Sequence, residues 1–165
     1  MIISIKEVKK FIISIFIPLA LGFSSSFLAG TISGGDISTY YSQLIKPSFA
    51  PPSAVFGIVW TILYILMGIS AYKIMSKGYE RPKVRDAMFY YWLQLILNFI
   101  WSILFFGFDL KFTALIDLIL IIIFVIIMIV RFAKIDKKAA YMNIPYLIWL
   151  FYALVLNYLI WIINK

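Results

Sequence analysis

The sequence predicts an all-α integral membrane protein, a bundle of five transmembrane helices. Of its 165 residues, 64% are hydrophobic and 13% are charged, and the mean hydropathy is +1.02. Soluble domains have about 45–50% apolar and about 25% charged residues. A membrane helix needs about 20 mostly apolar residues, and the chain contains five such runs. We expect one membrane domain over residues 1–165.

The five predicted spans are separated by residues that interrupt helical hydrogen bonding. Gly34 and Pro51 lie in the first connection, and Gly78 and Pro82 lie in the second. The fourth span is rich in Ile and has high β propensity, but about 20 uninterrupted residues fit a helix better than a barrel strand. The first apolar run exceeds the about 7–15 residues of a signal-peptide core, so we count it as a span. The spans cover residues 11–32, 53–75, 87–106, 112–132 and 140–162.

Basic residues are distributed unevenly between the two ends of such a bundle. With five spans, twelve of the fifteen Lys and Arg residues lie at the end that carries the amino terminus. Cytoplasmic loops are enriched in Lys and Arg, so this bias predicts a cytoplasmic amino terminus and an external carboxyl terminus. We therefore interpret the net charge of +8 as a topology signal, and a nucleic-acid partner is not expected. The abundance of Ile and Lys suggests a prokaryotic cell membrane.

The chain has no cysteine and no histidine. Disulfides, Cys/His zinc sites, Ser-His-Asp triads and His-ligated haem are therefore excluded, and we expect no bound metal. This leaves stacking, amide and hydroxyl contacts as the chemistry available to a binding site.

Polar and aromatic residues recur at helical spacing within four spans. Side chains that can form hydrogen bonds should face protein or a cavity and avoid lipid. The first-span stripe consists of small residues and is typical of close helix packing. The other three pair a large aromatic with an amide or hydroxyl, which fits interhelical packing or a ligand cavity about equally well. The stripes are Gly22, Ser26, Gly30; Gly57, Trp60, Tyr64, Gly68; Gln94, Asn98, Trp101, Phe105; and Pro145, Trp149, Ala153, Asn157.

Asp117 is the one acidic residue well within a predicted span. It lies six residues past Lys111, about 9 Å along a helix. Solvation near the interface, or a bond to a neighbouring helix, is one interpretation, and a proton or substrate path is the other.

Three long motifs in the right order resemble the TspO/MBR family, the tryptophan-rich sensory proteins related to the translocator protein or peripheral benzodiazepine receptor. The first is YSQLIKPSFAPP at 41–52 with FGIVWTILY at 56–64. The second is LQLILNFIWS at 93–102 with FFG at 105–107, and the third is PYLIW at 145–149 with ALVLN at 153–157. Two loop tryptophans common among relatives are replaced by Phe49 and Ala54.

The resemblance implies a homodimeric five-helix bundle that binds porphyrins and benzodiazepine-like compounds in a cavity beneath the first loop. It also implies the contact residues, in the helices and in the loop that caps them. In this sequence they are Trp60, Tyr64, Asn98, Trp101, Trp149 and Ala153, capped by Phe49, Pro51 and Phe56.

Three functions follow as hypotheses. The leading one is a membrane receptor or carrier in which a tetrapyrrole, bound as a ligand, stacks on indole and phenol rings; Lys46 would meet porphyrin carboxylates at the mouth. The second is an enzyme that degrades porphyrin in light, with Trp60 and Trp149 as electron or radical partners. The third is a regulatory sensor that acts through a partner protein docked on the basic face from Lys77 to Arg85.

Overall fold

The computed structural model describes residues 5–165, and within that range it contains helices and no strand. Five helical segments are long and apolar enough to cross a bilayer, which confirms the predicted five-span helical fold. The helices are α1 (Ile5–Ser33), α2 (Ile37–Gln43), α3 (Ser53–Met75), α4 (Pro82–Ser102), α5 (Lys111–Ala133), α6 (Lys137–Tyr141) and α7 (Ile144–Ile163), with a π-helical turn (Ile103–Gly107) after α4.

The connections gather at two ends of the bundle. We call the end that carries the first turns of α1 and the connections 76–81 and 134–136 the basic end. There Asp136 lies 3.6 Å from the ammonium of Lys77, and Arg131 lies 2.8 Å from Asp86. The opposite end, which carries residues 34–52, 108–110 and 164–165, is the loop end. Successive connections therefore lie at alternate ends of the bundle, as five membrane-spanning helices require.

The first helix begins at Ile5, six residues before the predicted start of the first span. Lys is a good helix former, and the ion pair between Lys10 and Glu7, at 2.9 Å, lies along the helix at a spacing of three residues. A span located from apolar residues alone misses such a polar first turn.

The predicted fifth span is divided into α6 and α7. Pro145 has no N–H to donate to the carbonyl of Tyr141, and the helix is interrupted just before it, at Met142 and Asn143. Asn143 is fully buried at the break and donates to Ser70 Oγ (2.7 Å) and to the Ala139 carbonyl (2.9 Å). These hydrogen bonds attach the start of α7 to α3.

Helices α1 and α3 approach each other closely through glycines. A Cβ at Gly68 would lie 2.5 Å from Ile15 Cα, and one at Gly22 would lie 2.2 Å from the Tyr64 ring. The close packing predicted for the first-span stripe is confirmed at Gly22. The same contact positions Tyr64 for the site described next.

Candidate ligand-binding site

A cavity of about 190 Å³ lies at the loop end, between α1, α2, α3 and α4. We call it the main cavity. Its walls are aromatic and aliphatic with hydroxyl and amide groups between them, and no residue among those that line it is charged. The lining residues are Gly22, Phe23, Ser25, Ser26, Ile37, Ser38, Tyr41, Ser53, Phe56, Gly57, Trp60, Thr61, Tyr64, Asn98, Trp101, Ser102 and Phe106.

Two stacked aromatic pairs contribute to the wall; Trp60, Tyr64 and Trp101 line the main cavity, and Phe105 supports Trp101 from behind. Trp60 stacks on Tyr64 one turn along α3, with ring centroids 5.5 Å apart and planes 29° apart. Trp101 stacks on Phe105 at 5.3 Å and 20°, where α4 passes into the π-helical turn. The indole N–H of Trp101 donates to Asn157 Oδ1 at 3.2 Å, which fixes its ring against α7. Flat, immobilised rings of this kind are suited to stacking on a planar ligand.

A chain of hydrogen bonds joins the main cavity to the centre of the bundle. The Tyr64 hydroxyl donates to Asn98 Oδ1 (2.8 Å), the Asn98 amide donates to the Tyr146 hydroxyl (3.1 Å), and that hydroxyl donates to Gln94 Oε1 (2.9 Å). All four side chains are buried. Because every step is satisfied, the network holds Tyr64 and Asn98 in one orientation at the cavity wall.

A second, much smaller void lies beside the main cavity, and Phe56, Tyr41, Trp101 and Phe106 line both. That void is about 20 Å³, and its lining includes Phe56, Trp101 and Ala153. Trp149 packs edge-on against Phe56, at 5.6 Å and 70°, and does not line the main cavity. Its indole Nε1 is buried and has no hydrogen-bond partner among the described residues.

The structure therefore divides the predicted site residues into three groups. Trp60, Tyr64, Asn98, Trp101 and Phe56 surround the main cavity. Trp149 and Ala153 lie on the far side of Phe56. The predicted cap residues Phe49 and Pro51 lie in the loop outside.

The loop between α2 and α3, which we call the lid, is held by contacts to two helices, α2 and α7. The Tyr41 hydroxyl donates to the Pro51 carbonyl (3.0 Å), and the Tyr152 hydroxyl donates to the Phe49 carbonyl (3.1 Å). At the carboxyl terminus, Asn164 accepts from the Ile45 N–H (3.0 Å) and donates to the Ile45 carbonyl (2.8 Å). Partial burial raises the pKa of the Tyr41 phenol to about 12, so this hydroxyl stays protonated and remains a donor at physiological pH.

A charged contact fixes α2 to the start of α5. Asp109 accepts hydrogen bonds from the Tyr40 hydroxyl and the Lys111 ammonium. Partial burial opposes ionisation of Asp109, but the bonds from Lys111 and Tyr40 outweigh it and lower the pKa of the carboxyl below its ordinary value. Tyr40 also packs edge-on against Phe106, which lines the main cavity. We call Tyr40, Asp109 and Lys111 the latch.

Lys46, which we expected to meet ligand carboxylates, is engaged within its own loop. Its ammonium donates to the carbonyls of Tyr41 (2.7 Å), Leu44 (2.9 Å) and Ser42 (3.2 Å). A cation near the last carbonyls of a helix stabilises that end, so Lys46 terminates α2.

The contributions of α1 and α2 to the main cavity were not predicted from the sequence. Ser25 and Ser26 line it from α1, and Ile37, Ser38 and Tyr41 line it from α2. The first-span stripe, with Gly22 and Ser26, carried this signal, but it was interpreted only as packing. Helix α2 has seven residues, too few for a helical hydrophobic period to be evident in the sequence.

Asp117 is buried on the inward face of α5 and does not line the main cavity. Its Oδ2 has no hydrogen-bond partner among the described residues. The structure thus places it in the packed interior, and the interpretation as a solvated interfacial group is wrong.

The fold and the cavity together define a multi-pass helical membrane protein with an uncharged cavity that has aromatic walls. The model of the TspO/MBR family matches residues 14–162, and the chain belongs to that family.

Relatives cover nearly the whole chain. It is 38% identical to Tryptophan-rich protein TspO of Archaeoglobus fulgidus, over 96% of this chain and 99% of the relative. It is 35% identical to Tryptophan-rich protein TspO of Chlorobaculum tepidum, over 96% and 98%, and 34% identical to human Translocator protein, over 86% and 88%. The resemblance found in the motifs is therefore confirmed.

Proposed function

We propose that this protein is a membrane receptor or carrier for tetrapyrroles, with the ligand bound in the main cavity. The observation that carries the proposal is the uncharged cavity wall in which Trp60 stacks on Tyr64, beside the buried amide of Asn98. A flat hydrophobic ligand needs apolar walls and a few fixed polar groups, and this wall supplies both.

The available side chains restrict how such a ligand is held. The macrocycle stacks on Trp60, and the serine and threonine hydroxyls of the cavity wall hydrogen-bond its polar edge. The chain has no histidine or cysteine for iron, so strong axial ligation from those residues is excluded. We therefore expect a metal-free porphyrin, or a haem held without a strong axial bond.

The size of the main cavity requires a movement on binding. At about 190 Å³ it is smaller than the about 300–1,000 Å³ of pockets for drug-sized ligands. Phe56 lines both the main cavity and the void beside Ala153, so its displacement would join the two. In this account Phe56 is the residue that moves, and Trp149 and Ala153 become ligand contacts only then.

A cavity-filling variant with a matched control tests the proposal. Ser26 lines the main cavity, whereas Ser24, two residues earlier on α1, is exposed and does not. Titration of the reconstituted protein with protoporphyrin, followed by the porphyrin absorption band, should show binding that Ser26→Phe abolishes and Ser24→Phe leaves intact. Equal binding by both variants, or none by the wild type, would reject the proposal.

The enzymatic hypothesis is the alternative, and the stacking of Trp60 on Tyr64 favours it. Such a pair could pass an electron to or from a photoexcited porphyrin. The cavity wall has no carboxylate or amine to act as general acid or base, so ordinary proton-transfer catalysis is not expected. Bound porphyrin should be illuminated with and without oxygen in wild type, Trp60→Phe and Trp149→Phe; bleaching that is the same in all three would eliminate this alternative.

The proposal includes an orientation and an assembly. The positive-inside rule puts the basic end in the cytoplasm, so ligand would enter from the external loop end. The family resemblance adds a homodimer and benzodiazepine-like ligands. Labelling of single cysteines introduced at Ser48 and Lys134 of the cysteine-free chain, with a membrane-impermeant reagent, tests the orientation.

A further inference from the structure

A groove of about 600 Å³ lies at the basic end, on α1, α3, α4 and the connection between α3 and α4. We call it the basic-end groove. It shares no lining residue with the main cavity. Its apolar part includes Ile13, Ile17, Met75 and Trp92. Its polar part includes Glu7, Lys10, Tyr72, Glu80 and Tyr91. The groove is thus amphipathic, with both parts on one continuous surface.

One polar group of the groove lacks a partner. Tyr91 lines the groove and is 1% exposed, and its hydroxyl is buried without a hydrogen-bond partner among the described residues. Leaving a buried hydroxyl unpaired costs about 1–3 kcal/mol. A ligand that brings an oxygen acceptor to this hydroxyl recovers that energy.

The outer rim of the groove carries charges of both signs. Glu7 accepts from Lys10 (2.9 Å) and from the Tyr72 hydroxyl (3.1 Å), and Glu80 also lines the groove, with its carboxylate beside Gly78. The Lys10 side chain is 68% exposed, so its ammonium has N–H groups free of the protein surface. A zwitterionic headgroup, with a phosphate for Lys10 and an ammonium for the carboxylates, complements this rim.

We propose that the basic-end groove is a binding site for one glycerophospholipid of the ethanolamine-headgroup class. The phosphate meets Lys10, the ammonium meets Glu80 and Glu7, an ester carbonyl accepts from the Tyr91 hydroxyl, and an acyl chain lies along Ile13 and Ile17.

The spacing along α1 fits such a lipid. Ser14 and Ile17 line the groove four and seven residues after Lys10, which is about 6 Å and about 10 Å deeper at the helical rise. The wall therefore changes from charged to apolar within two turns, as a phospholipid changes from phosphate through ester to acyl chain. Lipid in the adjoining leaflet reaches the groove from the side, where Ile13 is 44% exposed.

Tyr91→Phe removes only the unpaired hydroxyl and breaks no hydrogen bond of the described residues. The matched control is Tyr90→Phe, because Tyr90 is adjacent on α4 but packs towards Phe124 and Arg131 and does not line the groove. Delipidated protein in detergent should be titrated with phosphatidylethanolamine, phosphatidylcholine and phosphatidylglycerol, and bound lipid counted by native mass spectrometry.

We expect phosphatidylethanolamine to bind most tightly, and Tyr91→Phe to weaken it about three- to tenfold while Tyr90→Phe does not. The lipid-free Tyr91→Phe protein should be at least as stable as wild type, because the substitution removes a buried hydroxyl that has no partner among the described residues. Equal lipid binding in Tyr91→Phe and wild type, or a preference for phosphatidylglycerol, would overturn the proposal. The same proteins should bind protoporphyrin alike, so this result is independent of the function proposed for the main cavity.

Discussion

Trp60 and Trp149 lie on opposite sides of Phe56, and their surroundings differ. Trp60 lines the main cavity and stacks on Tyr64, whose hydroxyl belongs to a satisfied hydrogen-bond chain. Trp149 packs against Phe56 and Tyr152, and its indole N–H has no hydrogen-bond partner within residues 5–165. Trp60 therefore lies in the wall of an existing cavity, whereas Trp149 packs against Phe56 and lines neither the main cavity nor the void.

The largest effect on the Trp60 side of the site is expected from one added methyl group at Gly22. A Cβ there would lie 2.2 Å from the Tyr64 ring, so Gly22→Ala must displace the ring that Trp60 stacks on. Overpacking of this kind costs about 1–3 kcal/mol. We expect that loss in the free energy of unfolding in detergent, together with weaker porphyrin binding.

Gly57→Ala is the control for this prediction. Gly57 also lines the main cavity, but a Cβ there would have no neighbour within 4 Å. If Gly22→Ala were as stable as Gly57→Ala, the contact between α1 and Tyr64 would not be as close as described.

The next largest effect is expected from removing the Phe56 ring, which lies between Trp149 and the main cavity. Phe56→Ala joins the main cavity to the void beside Ala153, so the ligand no longer has to displace a ring. We expect protoporphyrin to associate faster and to bind about three- to tenfold more tightly, equivalent to about 1 kcal/mol. Stopped-flow absorption measures both. Slower association in Phe56→Ala would show that Phe56 holds the ligand and does not exclude it.

Tyr64→Phe tests the hydrogen-bond chain at the Trp60 side. The change keeps the ring but leaves Asn98 Oδ1 without its donor. Side-chain hydrogen bonds between membrane helices contribute about 0.6 kcal/mol on average. We expect a loss of that order in the free energy of unfolding and a weaker effect on porphyrin affinity than that of Gly22→Ala. A Tyr64→Phe protein more stable than wild type would contradict the role assigned to the chain.

The smallest effect is expected in the pH dependence of stability, through the latch that joins α2 to the start of α5. The pKa of Asp109 is lowered in the folded protein, so its ionised form stabilises the fold. That contribution is fully present above the ordinary Asp pKa of about 3.9, and it is lost as the pH falls through the lower folded value.

Thermal unfolding of wild type and Asp109→Asn measures this contribution. Asn tolerates the positive φ of 58° at this position, so the substitution changes the charge without new backbone strain. The midpoints should differ by a few degrees at most at pH 7 and converge below about pH 4. A difference that grows on acidification would contradict the assigned sign.

Much of the fold follows from the sequence because bilayer thickness fixes the length of each span. The α4 stripe that predicted a shared face for Asn98 and Trp101 is confirmed, since both line the main cavity. The π-helical turn and α2 were not predicted. They depend on tertiary contacts: a Cβ at Gly107 would lie 3.4 Å from Ala29 Cα of α1, and α2 is attached through the latch.

The partition of the site also could not be read from the sequence. Trp60 and Trp149 are the same residue type, and each lies well inside its predicted span. What separates them is the orientation of Phe56, which depends on how Tyr41 and Trp149 pack against its ring. The pattern of residues along a helix predicts the face on which a residue lies. It does not predict how side chains from different helices pack against one another.

The most direct test of the account compares porphyrin affinity in folded Trp60→Ala and Trp149→Ala proteins. Stacking of an aromatic side chain on a flat base is worth about 1–3 kcal/mol, so loss of the Trp60 indole should weaken protoporphyrin binding about tenfold or more. Trp149→Ala should cost less, because its ring is reached only after Phe56 moves. Unchanged affinity in both variants, or a greater loss in Trp149→Ala than in Trp60→Ala, would contradict the account.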